Sequence, residues 1–96
     1  MESDEPYVSR AYVVLKTEPG AAEDVADRLR QRRSVLMADA VDGEDSVIAV
    51  FQATDASDLA GAVFITARRI EGVTSTNVYL ARTPQEVRSG NDVGAA

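Results

Sequence analysis

The sequence predicts an α+β domain in which four strands and two helices follow one another as βαββαβ. Runs rich in β-branched and aromatic residues occupy residues 10–17, 34–41, 46–53 and 73–82. Two stretches between them, beginning near residues 21 and 56, instead repeat their apolar residues with a helical period. Glycine or proline punctuates most of the junctions. A chain of 96 residues can enclose one hydrophobic core and no more, so the expected organisation is a tail at 1–9, one domain at 10–82 and a second tail, largely mobile, at 83–96.

The first strand is marked by Tyr12, Val13, Val14 and Leu15 and is stopped by Pro19 and Gly20. Over residues 21–33 the apolar residues Ala22, Val25, Ala26 and Leu29 fall at i, i+3, i+4 and i+7. Glu23, Asp24 and Asp27 come early in that stretch and Arg28, Arg30, Arg32 and Arg33 late, which suits the helix dipole, and Asp24 can pair with Arg28 one turn on. Residues 34–41 and 46–53 flank the turn-forming Asp42, Gly43, Glu44 and Asp45 and predict a hairpin. Thr54, Asp55, Ser57 and Asp58 offer N-caps for a second helix, whose apolar face is Leu59, Ala62, Val63, Thr66, Ala67 and Ile70 and whose terminator is Gly72. Residues 73–82 return to β-type composition, and Thr83 with Glu86 could cap one short helical turn in the tail.

A right-handed crossover around each helix turns this order into the ferredoxin-like arrangement, a four-stranded antiparallel sheet with two helices on one face. The other face is then bare. Yet residues 12–15 and 47–51 are unbroken apolar runs, the signature of strands covered on both faces. A second copy of the chain is the simplest cover, and the expected assembly is a dimeric α/β barrel. Phe64 and Ile65 point away from the apolar face of the second helix and are either incidental surface or a further oligomer contact.

Composition excludes much chemistry. There is no Cys and no His, which removes thiol nucleophiles, disulfides, imidazole bases and zinc sites built on those ligands. Ten basic residues against sixteen acidic give a net charge of −6, and the basic clusters at Arg28, Arg30, Arg32, Arg33 and at Arg68, Arg69 lack interleaved aromatics, so no direct nucleic-acid binding is expected. No run is long enough to span a membrane, the acidic start is unlike a secretory signal, and a cytoplasmic setting is the default. Around the acidic turn, Ala38, Ala40 and Ala49 stand where a calcium loop needs oxygen ligands, and a surface hairpin provides no apolar pocket to raise a carboxylate pKa for catalysis. No phosphate loop or nucleophile elbow is present, and no metal or cofactor is expected.

The stretch from Ala11 to the Pro19–Gly20 pair, the hairpin of Asp42, Gly43 and Glu44 before Val47, Ile48, Ala49 and Val50, and Gly72, Val73 and Thr76 at the start of the last strand resemble the Lrp/AsnC effector-binding domain over residues 11–82. The resemblance implies sheet-to-sheet dimers that assemble into rings, with small molecules, usually amino acids, bound between dimers near the hairpin turn. Full-length members carry a helix-turn-helix domain ahead of this one; here few residues precede the first strand, so the chain is similar to the stand-alone form. The family often places Asp just after the turn, suited to an effector's amino group, where this chain has Ser46 with Asp45 before it.

The expected function is therefore a regulatory, non-enzymatic, homo-oligomeric module that binds a small molecule, most simply an amino acid, and acts on a regulator protein. The candidate site is Asp42, Gly43, Glu44, Asp45, Ser46, Thr74 and Thr76, the main cluster of short polar groups. Gly43 permits close backbone approach, the acids suit an ammonium group and the hydroxyls a carboxylate. A plain solvated turn is the competing reading. The alternative function is a small dimeric α+β barrel enzyme, of monooxygenase or isomerase type, working between sheet and helices; the absence of His and the scarcity of inward polar residues weigh against it. A purely structural oligomer is the third.

Overall fold

The computed structural model describes residues 9–43 and 45–82. The elements are β1 (Ser9–Thr17), α1 (Ala22–Arg30), β2 (Val35–Val41), β3 (Ser46–Ala53), α2 (Ala56–Arg69) and β4 (Val73–Leu80), and the strands form one antiparallel sheet in the order β2-β3-β1-β4. The ferredoxin-like βαββαβ fold is thus the one expected. Glu44, the tail from residue 83 and the cap proposed for Thr83 and Glu86 lie outside the described residues.

Pairing sorts the strand residues onto two faces. Ala11, Val13 and Leu15 of β1 stand opposite Phe51, Ala49 and Val47 of β3 and opposite Leu80, Val78 and Thr76 of β4. The β1 and β3 members of these rows meet Val25, Ala26 and Leu29 of α1 and Leu59 and Val63 of α2 in a single core. Tyr12, Val14 and Lys16 point the other way, opposite Val50, Ile48 and Ser46 on β3 and Tyr79, Asn77 and Ser75 on β4. Among the described residues no element covers that face, where Tyr12, Met37, Ile48 and Tyr79 are exposed.

Several boundaries differ from the sequence reading for local reasons. Helix α1 stops at Arg30 instead of running to Arg33, since Leu29 is its last apolar residue and the Gln31 and Arg32 N–H groups fold back on Arg28 and Leu29 carbonyls at 3.3 and 2.9 Å. Arg30 then donates from Nε to the Ala38 carbonyl at 2.8 Å and pairs with Asp27 at 2.7 Å, and the expected Asp24–Arg28 pair closes at 3.1 Å. Strand β2 starts at Val35, and a bulge leaves Leu36 without a partner, because Val35 faces Phe51 while Met37 faces Val50. That extra residue lets Val35 join the core while Met37 turns to the open face.

Asp55 is the N-cap of α2, its carboxylate accepting the Asp58 N–H at 2.8 Å. The helix ends at Arg69, short of Gly72, because Ile70 is already extended and buries its side chain in the core. Gly72 at φ 98° then reverses the chain, and its missing Cβ admits Ala21 Cβ, which an added methyl would meet at 3.2 Å. Strand β4 ends at Leu80 rather than Arg82, although Ala81 N–H still reaches the Arg10 carbonyl at 2.9 Å.

Candidate functional site

The end of β1 gathers the candidate residues. Thr17 N–H donates to the Asp45 carbonyl and Glu18 N–H to the Gly72 carbonyl, both at 2.8 Å, so the β2–β3 turn and the start of β4 sit at one end of the sheet with β1 between them. Asp42 and Asp45 are exposed there, and Gly43 takes φ 91° with nothing close to where a side chain would be. A ligand could therefore approach that backbone directly. The site is open rather than enclosed.

Register divides the hydroxyls. Ser46 and Ser75 flank Lys16 in one row across β3, β1 and β4 on the open face, whereas Thr76 stands opposite Leu15 on the helix side. Thr74 is the extra residue where the β1–β4 ladder shifts, Lys16 pairing with Ser75 and Thr17 with Val73. Within one subunit Ser46 and Thr76 are thus on different faces, and β1 holds β3 and β4 roughly 10 Å apart. Ser46 is buried, yet its Oγ has no hydrogen-bond partner. An orphaned buried hydroxyl costs about 1–3 kcal/mol unless something else satisfies it. Ser75 and Lys16 were not singled out from sequence; alternation along β1 and β4 is the signal that groups them with Ser46.

Thr74 and Thr76 belong to a second feature, a groove of about 640 Å³ between α2 and β4. Leu59, Val63, Phe64, Val78 and Leu80 supply most of its wall, and Arg68 is its one charged residue. This is the cleft between sheet and helices where the enzymatic alternative would place a reaction. Among the described residues no carboxylate lines it, so these residues form no acid–base pair there. Among the described residues no group of three or more acidic side chains converges, and no helix is long and apolar enough to cross a membrane.

Comparison with solved structures gives the same fold repeatedly. TTHA0845 from Thermus thermophilus superposes with a TM-score of 0.71 at 19% identity, over 82% of this chain and 99% of that one. The hypothetical protein PHS023 from Pyrococcus horikoshii gives 0.70 at 19% identity, over 86% and 95%. AsnC of E. coli gives 0.71 at 15% identity, over 88% of this chain and 57% of AsnC. No curated protein gives a significant match. The sequence itself matches the model of the Lrp/AsnC ligand binding domain across residues 10–84, from the first strand to just past the last, and the chain belongs to that family.

Proposed function

We propose that this chain is a non-enzymatic sensor module that works as a homodimer and holds an amino acid at the hairpin end of the sheet. The observation that carries the reading is the buried, unsatisfied Ser46 hydroxyl in the row Ser46, Lys16 and Ser75, beside the Asp45 turn. A zwitterion suits that neighbourhood: Ser46 and Ser75 can donate to its carboxylate, while Asp42, Glu44 and Asp45 attract its ammonium group. Thr74 and Thr76, on the helix side of β4, would join only from a neighbouring subunit. With a net charge of −6, the module acts on DNA through a regulator partner and not by itself.

Thermal melts against a panel of amino acids test this. A ligand present at 100 times its dissociation constant stabilises the fold by about 2.7 kcal/mol. The expected result is a shift for a subset of the panel that Ser46→Ala weakens and that the triple replacement of Asp42, Glu44 and Asp45 by Ala abolishes. A panel without any shift, or a shift untouched by both variants, removes the amino-acid site from the hairpin.

A further inference from the structure

We propose that the groove between α2 and β4 is a second ligand site, separate from the hairpin, and that it takes a monocarboxylate with an apolar tail. Val78 and Leu80 lie on the helix side of the sheet, yet they are 45% and 66% exposed. Their β1 partners Val13 and Ala11 are fully buried. Helix α2 sits over β1 and β3, and β4 projects beyond it. The resulting space, about 640 Å³, falls in the range of small-molecule pockets, roughly 300–1,000 Å³.

The walls are graded in polarity. Because α2 runs into β4 through a tight reversal at Gly72, the start of α2 lies against the end of β4 and the end of α2 against its start. One end of the groove is therefore Leu59, Val63 and Leu80, and the other is Arg68 with Thr74 and Thr76. Among the described residues Arg68 is the only charged group in the lining, and it makes no ion pair with any described carboxylate. Its guanidinium lies 4.9 Å over the Phe64 ring. Stacking of that kind orients the plane and leaves the N–H edge free to grip a carboxylate in bidentate fashion. The hydroxyls beside it add donors.

The same lining rejects an amino acid. An ammonium group would enter beside Arg68 with no acid to receive it, whereas a carboxylate with a hydrocarbon tail meets a cation at one end and apolar walls at the other. The groove is on the helix layer, so a partner seated on the open sheet face leaves it accessible. Ile65 is not part of its lining.

Octanoate serves as the probe, titrated into the full chain while backbone amide resonances are followed. The expected result is a saturable shift of Ala67, Arg68, Thr76 and Val78. Octylammonium, equal in tail and opposite in charge, should give none. Arg68→Gln should weaken octanoate binding about tenfold, the size of one charge-assisted contact, and Ala60→Phe, which fills the apolar end from an exposed position, should abolish it with an unchanged melting temperature. Equal binding of octylammonium, full affinity in Arg68→Gln, shifts centred on Tyr12 and Ile48, or no binding at all would each overturn the proposal. Shifts confined to residues 42–46 would place octanoate at the hairpin and overturn it too, whereas the hairpin reading fails separately, on the amino-acid panel.

Discussion

Val13 and Val78 are direct partners in the β1–β4 ladder and point to the same side of the sheet, yet Val13 is fully buried and Val78 is 45% exposed. The difference measures where the helices end. Core packing is concentrated over β1 and β3, with Leu15, Phe51, Leu29 and Leu59 among the largest fully buried side chains. Strand β4 contributes its backbone to the sheet and little of its side-chain surface to the core.

Two substitutions of the same kind should therefore differ. Val13→Ala removes packed methyl groups and leaves a cavity, and should cost about 2–3 kcal/mol. Val78→Ala trims a half-exposed side chain and should cost less than about 1 kcal/mol. Urea midpoints of the two variants at equal protein concentration check this. Similar losses at both positions would mean that something covers β4 in solution.

Gly72 and Gly61 make a second contrasting pair. Gly72 has φ 98°, and an added Cβ would meet Ala21 Cβ at 3.2 Å and Val25 Cγ2 at 3.4 Å, so Gly72→Ala should destabilise by more than about 1 kcal/mol. Gly61 lies inside α2 with nothing near its Cβ position, and Gly61→Ala should stabilise by about 0.5–1 kcal/mol through helix propensity. Thermal denaturation should move in opposite directions.

The order of elements was legible because apolar residues mark their own period, at i, i+3, i+4 and i+7 from Ala22 to Leu29 and in continuous runs in β1 and β3. The end of α1 was not legible, since Arg30, Arg32 and Arg33 are good helix formers and only the absence of anything to bury after Leu29 stops the helix. The bulge at Leu36 was hidden because Val35, Leu36 and Met37 are all apolar and no alternation exists to break. The hairpin cluster was visible as composition, but its division between faces depends on the shift that puts Lys16 opposite Ser75 and Thr17 opposite Val73. The groove was invisible for a different reason: it follows from the lateral position of α2 over the sheet, which no local pattern encodes.

Capping by Asp55 gives a third expectation. Its carboxylate accepts the Asp58 N–H at 2.8 Å, an orphan donor of the first turn of α2. Asp55→Ala should cost about 1 kcal/mol, and Asp55→Ser should recover most of that. Equal stability of the two variants in a chemical melt would show that the cap contributes nothing measurable.

Dimers should associate further through the exposed face of α2, where Phe64 and Ile65 are 59% and 52% exposed; Phe64 also walls the groove, so a ring contact and an octanoate-filled groove would compete for it. Burying a Phe is worth about 1.5–3 kcal/mol, enough to shift a ring equilibrium without creating one. Replacing both residues by Ser should leave dimers in sedimentation. Assemblies of unchanged size would identify the two side chains as incidental surface.

The proposed dimer rests on the open sheet face. Across its middle run two rows, Met37, Val50, Tyr12 and Tyr79 in one and Asp39, Ile48, Val14 and Asn77 in the next, so apolar side chains form a continuous patch over the two central strands. Patches of that kind on a folded chain mark interaction surfaces, and a two-fold axis lets one patch cover its own copy. Ile48 lies on central strand β3 and is 41% exposed in the single chain. Ile48→Lys should accordingly change the stability of an isolated subunit little, while in a dimer it would desolvate an ammonium group in an apolar interface, at a cost that its cross-strand partner Asp39 offsets only in part. At low micromolar concentration the unaltered protein should sediment as a dimer or larger species and the Ile48→Lys protein as a folded monomer, its circular dichroism retained. A compact monomer for the unaltered chain, or an Ile48→Lys variant that assembles as before, would move the interface off this face and leave the apolar runs of β1 and β3 without their reason.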